Sequence, residues 1–391
     1  MQKYKHLSKL WDILCDVTRD AQLDNGATKN PVVEEVYVRE AAFSSNILAT
    51  NYLVNKIEDD LLVAKKNHSF VLSMISDGVT FNEPIWTPRG ESLRKGSIPA
   101  TIYLFEAMEK SSRKLNEDSP INNNKDDLSS YIESCYLGNN HYAHDTVDKK
   151  SNEKVYPVLN TTLMAEWMKF RITSKANKRL SKTLRKEQLK SGLWPYLVST
   201  IPFEKMLDKF SSILPKSSLL KTICLKIFKD KSLFFADFHH HVVTLQYFIK
   251  SQDEFNKDEI KIINNGWTFI ENNIKKSDSG WSLNFSWEPQ PNIPRYSNFK
   301  DSTTYFLIMD VLFLMYQKDI LKKNDILNTA NMLSKHMIKK LSFKDKISGK
   351  WCFLAYEGSD SEIELIFPRP AESIFHKAHL MSELIILACE E

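Results

Sequence analysis

The stretch that decides the fold runs from Gly280 to Tyr316, GWSLNFSWEPQPNIPRYSNFKDSTTYFLIMDVLFLMY. It opens with a glycine and a tryptophan, continues through an irregular segment rich in aromatic residues and proline, and ends in an apolar run. Apolar residues recur at helical spacing in that run, which predicts a buried helix over Thr303 to Tyr316. The small polar residues at 301–304 are typical of a helix start.

The same order of features recurs along the chain: a turn with glycine, an aromatic residue, an irregular loop and a helix. The five copies are marked by Gly78 with Trp86, Gly138 with Tyr142, Gly192 with Trp194, Gly280 with Trp281, and Gly349 with Trp351. A single helix pair cannot bury its apolar face, so neighbouring pairs stack against one another. Five or six such pairs close naturally into a ring of inner helices surrounded by outer ones.

The repeat also predicts how each pair is joined. We expect the glycine to end the outer helix, because a C-terminal cap requires positive φ. The aromatic residue then fills the gap between pairs, and Asn160, Asp301 or Ser302 caps the inner helix. Residues 36–391 are assigned to the ring and residues 1–35 to an N-terminal helical segment. The polar stretch Lys110 to Ser130 is predicted to be a long loop.

Composition narrows the choice of function. The chain has 391 residues, a formal charge of +4 and only 10 glycines, against a usual glycine content of about 7%. This scarcity weighs against glycine-rich nucleotide-binding loops, and the small charge makes a nucleic-acid partner unexpected. No apolar run is long enough for a signal peptide or a membrane span. Five dispersed cysteines without a CxxC pair favour reduced thiols, so we expect a cytoplasmic location.

Two motifs carry a resemblance to a known group of proteins. Gly280-Trp281 followed by Asp301-Ser302-Thr303-Thr304-Tyr305 resembles the α/α toroid superfamily of terpenoid cyclases, protein prenyltransferase β subunits and polysaccharide lyases. Trp194-Pro195-Tyr196 followed by Asp237-Phe238-His239-His240 resembles a motif of polysaccharide-associated toroids. The resemblance covers roughly residues 36–391. It implies an all-α toroid of five to six helical hairpins, while one fold can host many activities.

Side chains suited to sugar chemistry collect in the loops before the inner helices. Aromatic rings stack on sugar faces, arginine binds a carboxylate through two hydrogen bonds, and histidine or tyrosine can transfer a proton. The expected catalytic residues are His239 or His240 as base and Tyr196 or Tyr296 as acid. The expected substrate-binding residues are Trp194, Trp281, Trp351, Arg295, Arg369, Asp301 and Glu372.

Each candidate also has a structural interpretation. His239, His240 and His241 cannot all point to one side of a helix, so at most two of them reach a cavity. The aromatic residues pack between hairpins in the first instance. Glu372 and Arg369 are close enough in sequence to form a local salt link.

A metal is not expected. Cys352 with His376 or His379 supplies only two ligands, whereas a zinc site requires three or four. The DxDD motif of toroid cyclases is also missing from the sequence. We therefore predict no cofactor, and terpenoid cyclisation is unexpected.

One segment is strongly basic. Eight basic residues and a single acid, Glu187, lie between Arg171 and Lys190. Such a run suits a solvated outer helix, and its alternative is a contact with an anionic polymer.

The resemblance, together with the clustering of histidines in these loops, implies a carbohydrate-active protein of surface-polysaccharide or oligosaccharide metabolism. Proton abstraction from an acidic sugar, of lyase or epimerase type, is the specific hypothesis, with an oligosaccharide or smaller sugar as ligand. The alternative is a non-catalytic toroid that binds a protein or peptide within an assembly.

Overall fold

The computed structural model describes residues 2–29, 36–75, 83–87, 90–94, 97–144, 157–189, 191–194, 238–284, 300–354, 356–357 and 378–390. Its helices are α1 (Lys5–Asp20), α2 (Val38–Asn55), α3 (Glu58–Met74), α4 (Ile98–Leu115), α5 (Pro120–Asn123), α6 (Lys125–Ser134), α7 (Leu159–Thr173), α8 (Leu180–Glu187), α9 (Phe238–Lys250), α10 (Lys257–Asn272), α11 (Ser302–Gln317), α12 (Lys323–Leu341) and α13 (Ser382–Cys389). Short 3-10 helices span Gln2–Tyr4 and His379–Met381. None of the described helices is long and apolar enough to cross a membrane.

Alternate helices form an inner ring. Within the described ranges, α2 packs against α4, α4 against α7, α7 against α9, α9 against α11, α11 against α13, and α13 against α2. Most residues of α2, α7 and α11 are buried, with polar and apolar side chains alike. A helix buried on all sides shows no amphipathic pattern, so these helices lie inside the molecule.

The remaining long helices form an outer layer. α3 packs on α2 and α4, α6 on α7, α10 on α9, and α12 on α11. α8 lies against α10. α1, which falls in the predicted segment 1–35, packs on α12 and α2. The chain is thus an α/α toroid of paired inner and outer helices, as the sequence predicted.

Neighbouring inner helices run in the same direction. His239 near the start of α9 lies beside Thr304 near the start of α11. Further along both helices, Gln246 lies beside Asp310. Because the contacts advance together along the two helices, α9 and α11 are parallel, and their N-termini lie at one end of the ring.

Strands are short and join the helices. The strands are β1 (Val36–Tyr37), β2 (Glu83–Thr87), β3 (Gly90–Arg94), β4 (Tyr136–Gly138), β5 (His141–Tyr142), β6 (Ile274–Lys275), β7 (Ser282–Leu283), β8 (Lys300–Asp301), β9 (Ser342–Lys344), β10 (Trp351–Phe353) and β11 (Tyr356–Glu357). β1, β2 and β3 form one antiparallel sheet. The other strands pair antiparallel in twos, β4 with β5, β6 with β7, β8 with β11, and β9 with β10.

The predicted role of the glycines as helix caps is wrong. α10 ends at Asn272, and Gly280 follows in the turn between β6 and β7. Gly138 and Gly349 are not helix caps either, since Gly138 is the last residue of β4 and Gly349 lies in the β9–β10 connection. Positive φ is present at all of these glycines, at 91° for Gly138, 123° for Gly280 and 70° for Gly349. Positive φ at these glycines was thus predicted correctly from the sequence, but the glycines lie beyond the helix ends instead of capping them.

Three glycines hold neighbouring outer helices together. Gly26, Gly192 and Gly280 have φ of 87°, 93° and 123°. A Cβ at these positions would overlap the backbone of Lys66 on α3, Asn265 on α10 and His336 on α12, respectively. Each of these glycines lies in a turn that follows one outer helix and packs against the neighbouring outer helix. Gly26 was missed in the sequence because alanine, and no aromatic residue, follows it.

The predicted caps at Asn160 and Ser302 are also wrong. α7 begins at Leu159, so Asn160 lies within its first turn, and the capping position is Val158. Ser302 is the first residue of α11, and its hydroxyl makes no hydrogen bond. The side chain of Asp301 lies outside the described residues.

The polar stretch Lys110 to Ser130 is helical, and the predicted loop is wrong. α4 continues to Leu115, and α5 and α6 follow. Lys110 and Lys114 are polar in sequence but buried in ion pairs. α6 buries Leu128, Tyr131 and Ile132, at i, i+3 and i+4, and turns its polar residues outward. Between α2 and α3, Lys56 has φ of 57° and separates the two helices.

Gly266 provides a test of this packing. A Cβ on Gly266 would lie 2.5 Å from the Trp194 ring, so Gly266→Ala should lower the free energy of unfolding by about 2 kcal/mol through overpacking. Urea denaturation measures the change. Asn264→Ala, an exposed position on the same helix, is the control and should stabilise slightly, because alanine favours helix. Equal stabilisation of both variants would contradict the packing described here.

Candidate functional site

The first turn of α9 carries two of the predicted catalytic side chains. His239 and His240 are half-buried, and their ring centroids lie 5.2 Å apart at 75°. His239 Nδ1 lies 3.3 Å from the Thr304 hydroxyl and 3.4 Å from the Thr303 hydroxyl, both in the first turn of α11. Two titratable rings and two hydroxyls thus meet at the N-terminal end of the inner ring.

His241 has a structural role. Its side chain is fully buried, and its ring stacks on Trp194 at 5.1 Å. The Trp194 backbone N–H donates to His241 Nδ1 at 3.1 Å, and His241 Nε2 lies 3.0 Å from the Gly266 carbonyl. Because Nδ1 accepts, Nε2 carries the proton and donates to that carbonyl. This neutral ring ties α9 to α10, in agreement with the prediction that the three histidines divide their roles.

Buried polar groups also collect in the first turns of other inner helices. Side-chain oxygens there are buried and make no hydrogen bond with a described residue, among them those of Thr101 on α4, Asn160 and Thr161 on α7, Ser302 on α11 and Ser382 on α13. An unsatisfied buried polar group costs free energy. A hydroxyl-rich ligand or water at this end of the ring could satisfy these groups.

The predicted aromatic binding residues do not lie in these first turns. Trp194 is 1% exposed, and its indole N–H donates to the Leu184 carbonyl at 3.0 Å. Trp281 donates its backbone N–H to the Met332 carbonyl on α12, at 2.9 Å. Trp281 and Trp351 are half-buried and lie near lysine ammonium groups, at 4.9 and 5.2 Å. These contacts match the packing interpretation of the repeat.

Several predicted residues lie outside the described ranges. They are Tyr196, Tyr296, Arg295, Arg369, Glu372 and the side chain of Asp301. β8 places the backbone of Asp301 opposite Tyr356 of β11. Among the described residues, no three histidine, cysteine, aspartate or glutamate side chains group closely enough to hold a metal ion.

A buried ion network spans the ring below the histidines, and no motif in the sequence predicted it. Lys250 Nζ lies 2.6 Å from Glu106 Oε1 and 2.7 Å from Asp310 Oδ2. Lys110 Nζ lies 3.0 Å from Glu106 Oε1 and 3.4 Å from Asp310 Oδ1. Two ammonium groups therefore face two carboxylates, all at most 10% exposed. A lone aspartate in the apolar run of α11 was the signal available in the sequence.

Further hydrogen bonds complete the network. Tyr247 OH donates to Glu106 Oε2, and Gln246 Nε2 donates to Asp310 Oδ2, both at 2.7 Å. Burial acts to raise the pKa of Glu106, but the ammonium groups of Lys250 and Lys110 outweigh it and hold that pKa well below its usual value. Burial, followed by Glu106, raises the pKa of the Tyr247 hydroxyl. Glu106 is therefore ionised at neutral pH, and the Tyr247 hydroxyl keeps its proton.

The network crosses the interior of the ring. α4 is not a ring neighbour of α11 or α9, so contacts of Lys110 with Asp310 and of Glu106 with Lys250 pass through the centre. Lys114 continues the polar interior with bonds to Asn46 Oδ1 at 2.7 Å and Glu383 Oε1 at 2.9 Å. The interior at this level is filled by side chains, which form a charged floor beneath the histidine end.

Comparison with known proteins identifies the fold. No protein-family model and no curated protein matches the chain. Among solved structures, the chain is similar to cellobiose 2-epimerase from Spirochaeta thermophila, with 11% identity, a TM-score of 0.62, and coverage of 99% of this chain and 96% of that one. It is also similar to an unsaturated glucuronyl hydrolase from Bacillus sp. GL1, with 8% identity, a TM-score of 0.63, and coverage of 98% and 96%. A D-mannose isomerase matches with 9% identity, a TM-score of 0.62, and coverage of 98% and 97%. These likenesses confirm the α/α toroid.

The ion network makes a stability prediction. Asp310→Asn leaves Lys110 and Lys250 with one carboxylate between them, so it should lower the free energy of unfolding by about 3 kcal/mol, as expected for a broken buried pair. Urea denaturation at pH 7 measures the effect. Asp258→Asn, in the exposed pair with Arg185, is the matched control and should change stability little. Equal effects of the two substitutions would show that the network adds nothing beyond a surface pair.

The lowered pKa of Glu106 predicts a pH dependence. A carboxyl with a folded pKa below its unfolded value contributes stability that is complete above the unfolded pKa and is lost as pH falls through the folded pKa. The stability difference between the wild type and Glu106→Gln should therefore shrink as pH falls below about 4.5. Urea denaturation of both proteins between about pH 3 and pH 7 measures this stability difference on both sides of the unfolded pKa. A difference that stays constant over this range would contradict the ionised state of Glu106.

Proposed function

We propose that the chain is a carbohydrate-active enzyme that abstracts a proton from a sugar carbon next to a carbonyl or carboxylate group. The observation that carries the proposal is the meeting of His239 and His240 with Thr303 and Thr304 at the N-terminal end of the inner ring. A neutral imidazole can take up a proton, and hydroxyls beside it can orient sugar oxygens. The unsatisfied oxygens in neighbouring first turns suit a hydroxyl-rich ligand.

The fold neighbours support the same chemistry at the level of class. Two are named for epimerisation or isomerisation of a sugar, and a third for a glucuronyl substrate. In our proposal, His239 or His240 is the base, Tyr196 or Tyr296 supplies a proton, and Arg295 or Arg369 holds a carboxylate. The proposal includes an oligosaccharide or smaller sugar ligand and a cytoplasmic location.

Proton abstraction can be tested directly. The protein is incubated in deuterated water with D-mannose, cellobiose or oligogalacturonate, and deuterium entry into the sugar is followed by mass spectrometry. Ultraviolet absorbance reports the double bond that a lyase would form. His239→Ala and His240→Ala are compared to identify the base. The variant that lacks the base should lower the rate of deuterium entry at least about 100-fold. His6→Ala on α1 is the control and should leave the rate unchanged. Full activity in both histidine variants would refute the assignment.

A second candidate function is favoured by the ion network. Side chains fill the ring at the level of Lys110 and Asp310, as expected of a toroid that serves as a binding component for a protein or peptide. Such a protein would exchange no deuterium with any sugar, yet would retain a stable protein complex after purification from its source. Deuterium entry that depends on His239 or His240 would exclude this alternative.

A further inference from the structure

A cleft lies on the outer side of α7, and none of the residues of the proposed catalytic site lines it. Its volume is about 540 Å³, within the range of small-molecule sites. Its lining comes from α6, the β4–β5 hairpin, α7 and the loop 174–179. Charged side chains dominate this lining, among them Glu133, Glu166, Lys169, Lys178 and Arg179.

The inner wall of the cleft carries a buried carboxylate. Glu166 is 7% exposed and lines the cleft, and no hydrogen bond or ion pair joins it to another described residue. Thr162, Glu166 and Lys169 are spaced by four and three positions, which places them on one face of α7. The Tyr142 backbone N–H donates to the Thr162 hydroxyl at 3.2 Å, which sets the β4–β5 hairpin against that face.

The adjacent polar groups are already paired. Lys169 Nζ donates to Glu133 Oε1 at 2.6 Å and to Tyr142 OH at 3.1 Å. Burial raises the pKa of Tyr142, and Glu166 adds to this rise, so the hydroxyl stays protonated. Glu166 therefore remains the buried acceptor with capacity for a ligand donor. An unpaired buried carboxylate is costly, and a ligand O–H or N–H group would offset that cost.

The rim of the cleft is cationic. Lys175, Lys178 and Arg179 are exposed and belong to the basic run noted in the sequence. Other members of that run are paired with acids, Arg171 with Glu109 and Arg185 with Asp258. Four cations (Lys169, Lys175, Lys178, Arg179) against two carboxylates (Glu133, Glu166) leave the lining with a formal charge of +2. A rim of this charge favours an anionic group.

We propose that this cleft binds an anionic sugar. Sugar hydroxyls would donate to Glu166, and the anionic group would contact Lys178 and Arg179 at the rim. Neutral hydroxyls suit the inner wall better than an ammonium group, because Lys169 already supplies a cation one turn away. The anionic group is a phosphate or a carboxylate, and the two sources are separable by experiment.

The test is calorimetric titration of the full-length protein with four probes: glucose 6-phosphate, glucuronate, glucose and inorganic phosphate. We expect at least one of the two anionic sugars to bind at a site that is retained in His240→Ala, and at least tenfold more tightly than glucose or phosphate. Tighter binding of glucose 6-phosphate would identify a phosphate ligand, and tighter binding of glucuronate a carboxylate ligand. Absence of binding by both, or equal binding of glucose or of inorganic phosphate, would overturn the proposal.

Variants locate the site. Glu166→Gln keeps the shape of the side chain and should weaken binding of the anionic sugar at least tenfold. The double variant Lys178→Ala/Arg179→Ala should weaken this binding by a similar factor. Lys182→Ala removes an exposed basic residue outside the cleft and should not change the dissociation constant. His240→Ala should also leave binding intact, which separates this site from the proposed catalytic one. Unchanged binding in Glu166→Gln would overturn the proposal.

Discussion

The buried pairing of two lysines with two carboxylates is the interaction on which the ring depends. Glu106 and Lys110 come from α4, Lys250 from α9 and Asp310 from α11. Since α4 is not adjacent to α9 or α11 in the ring, these bonds cross the interior, and the Lys110–Asp310 pair joins helices on opposite sides of the ring. Charges removed from water are tolerated only with good partners, so the inner helices are held at a fixed distance and depth.

The network occupies the interior of the ring at mid-height. The first turns of α9 and α11 lie above it. His239 and Thr304 meet there, while the neighbouring His241 is used for packing against Trp194. Adjacent residues of one helix thus have different partners according to the face they occupy.

The sequence predicted the toroid because the repeat leaves a local mark: a glycine with positive φ, an aromatic residue and a helix. It misplaced the glycines relative to the helix ends, since a turn between short strands requires the same backbone conformation as a cap. It also treated Lys110 as part of a loop, because polarity alone does not reveal a partner on a distant helix. The division of roles among the three histidines was predictable from helical geometry. The partners of His241 were not, because Trp194 and Gly266 are remote in sequence.

The contact between α1 and α12 has a consequence for synthesis of the chain. Backbone N–H groups of His6 and Leu7 donate to Asn331 Oδ1, at 2.9 and 3.1 Å. α1 leaves the ribosome before its partner helix, since the two ends of this contact are 325 residues apart in sequence. Until α12 is made, the side of α1 that packs on α12 lacks this cover. Docking of α1 on α12 therefore joins segments far apart in sequence, which is intrinsically slow, and that side of α1 is open to chaperones until then.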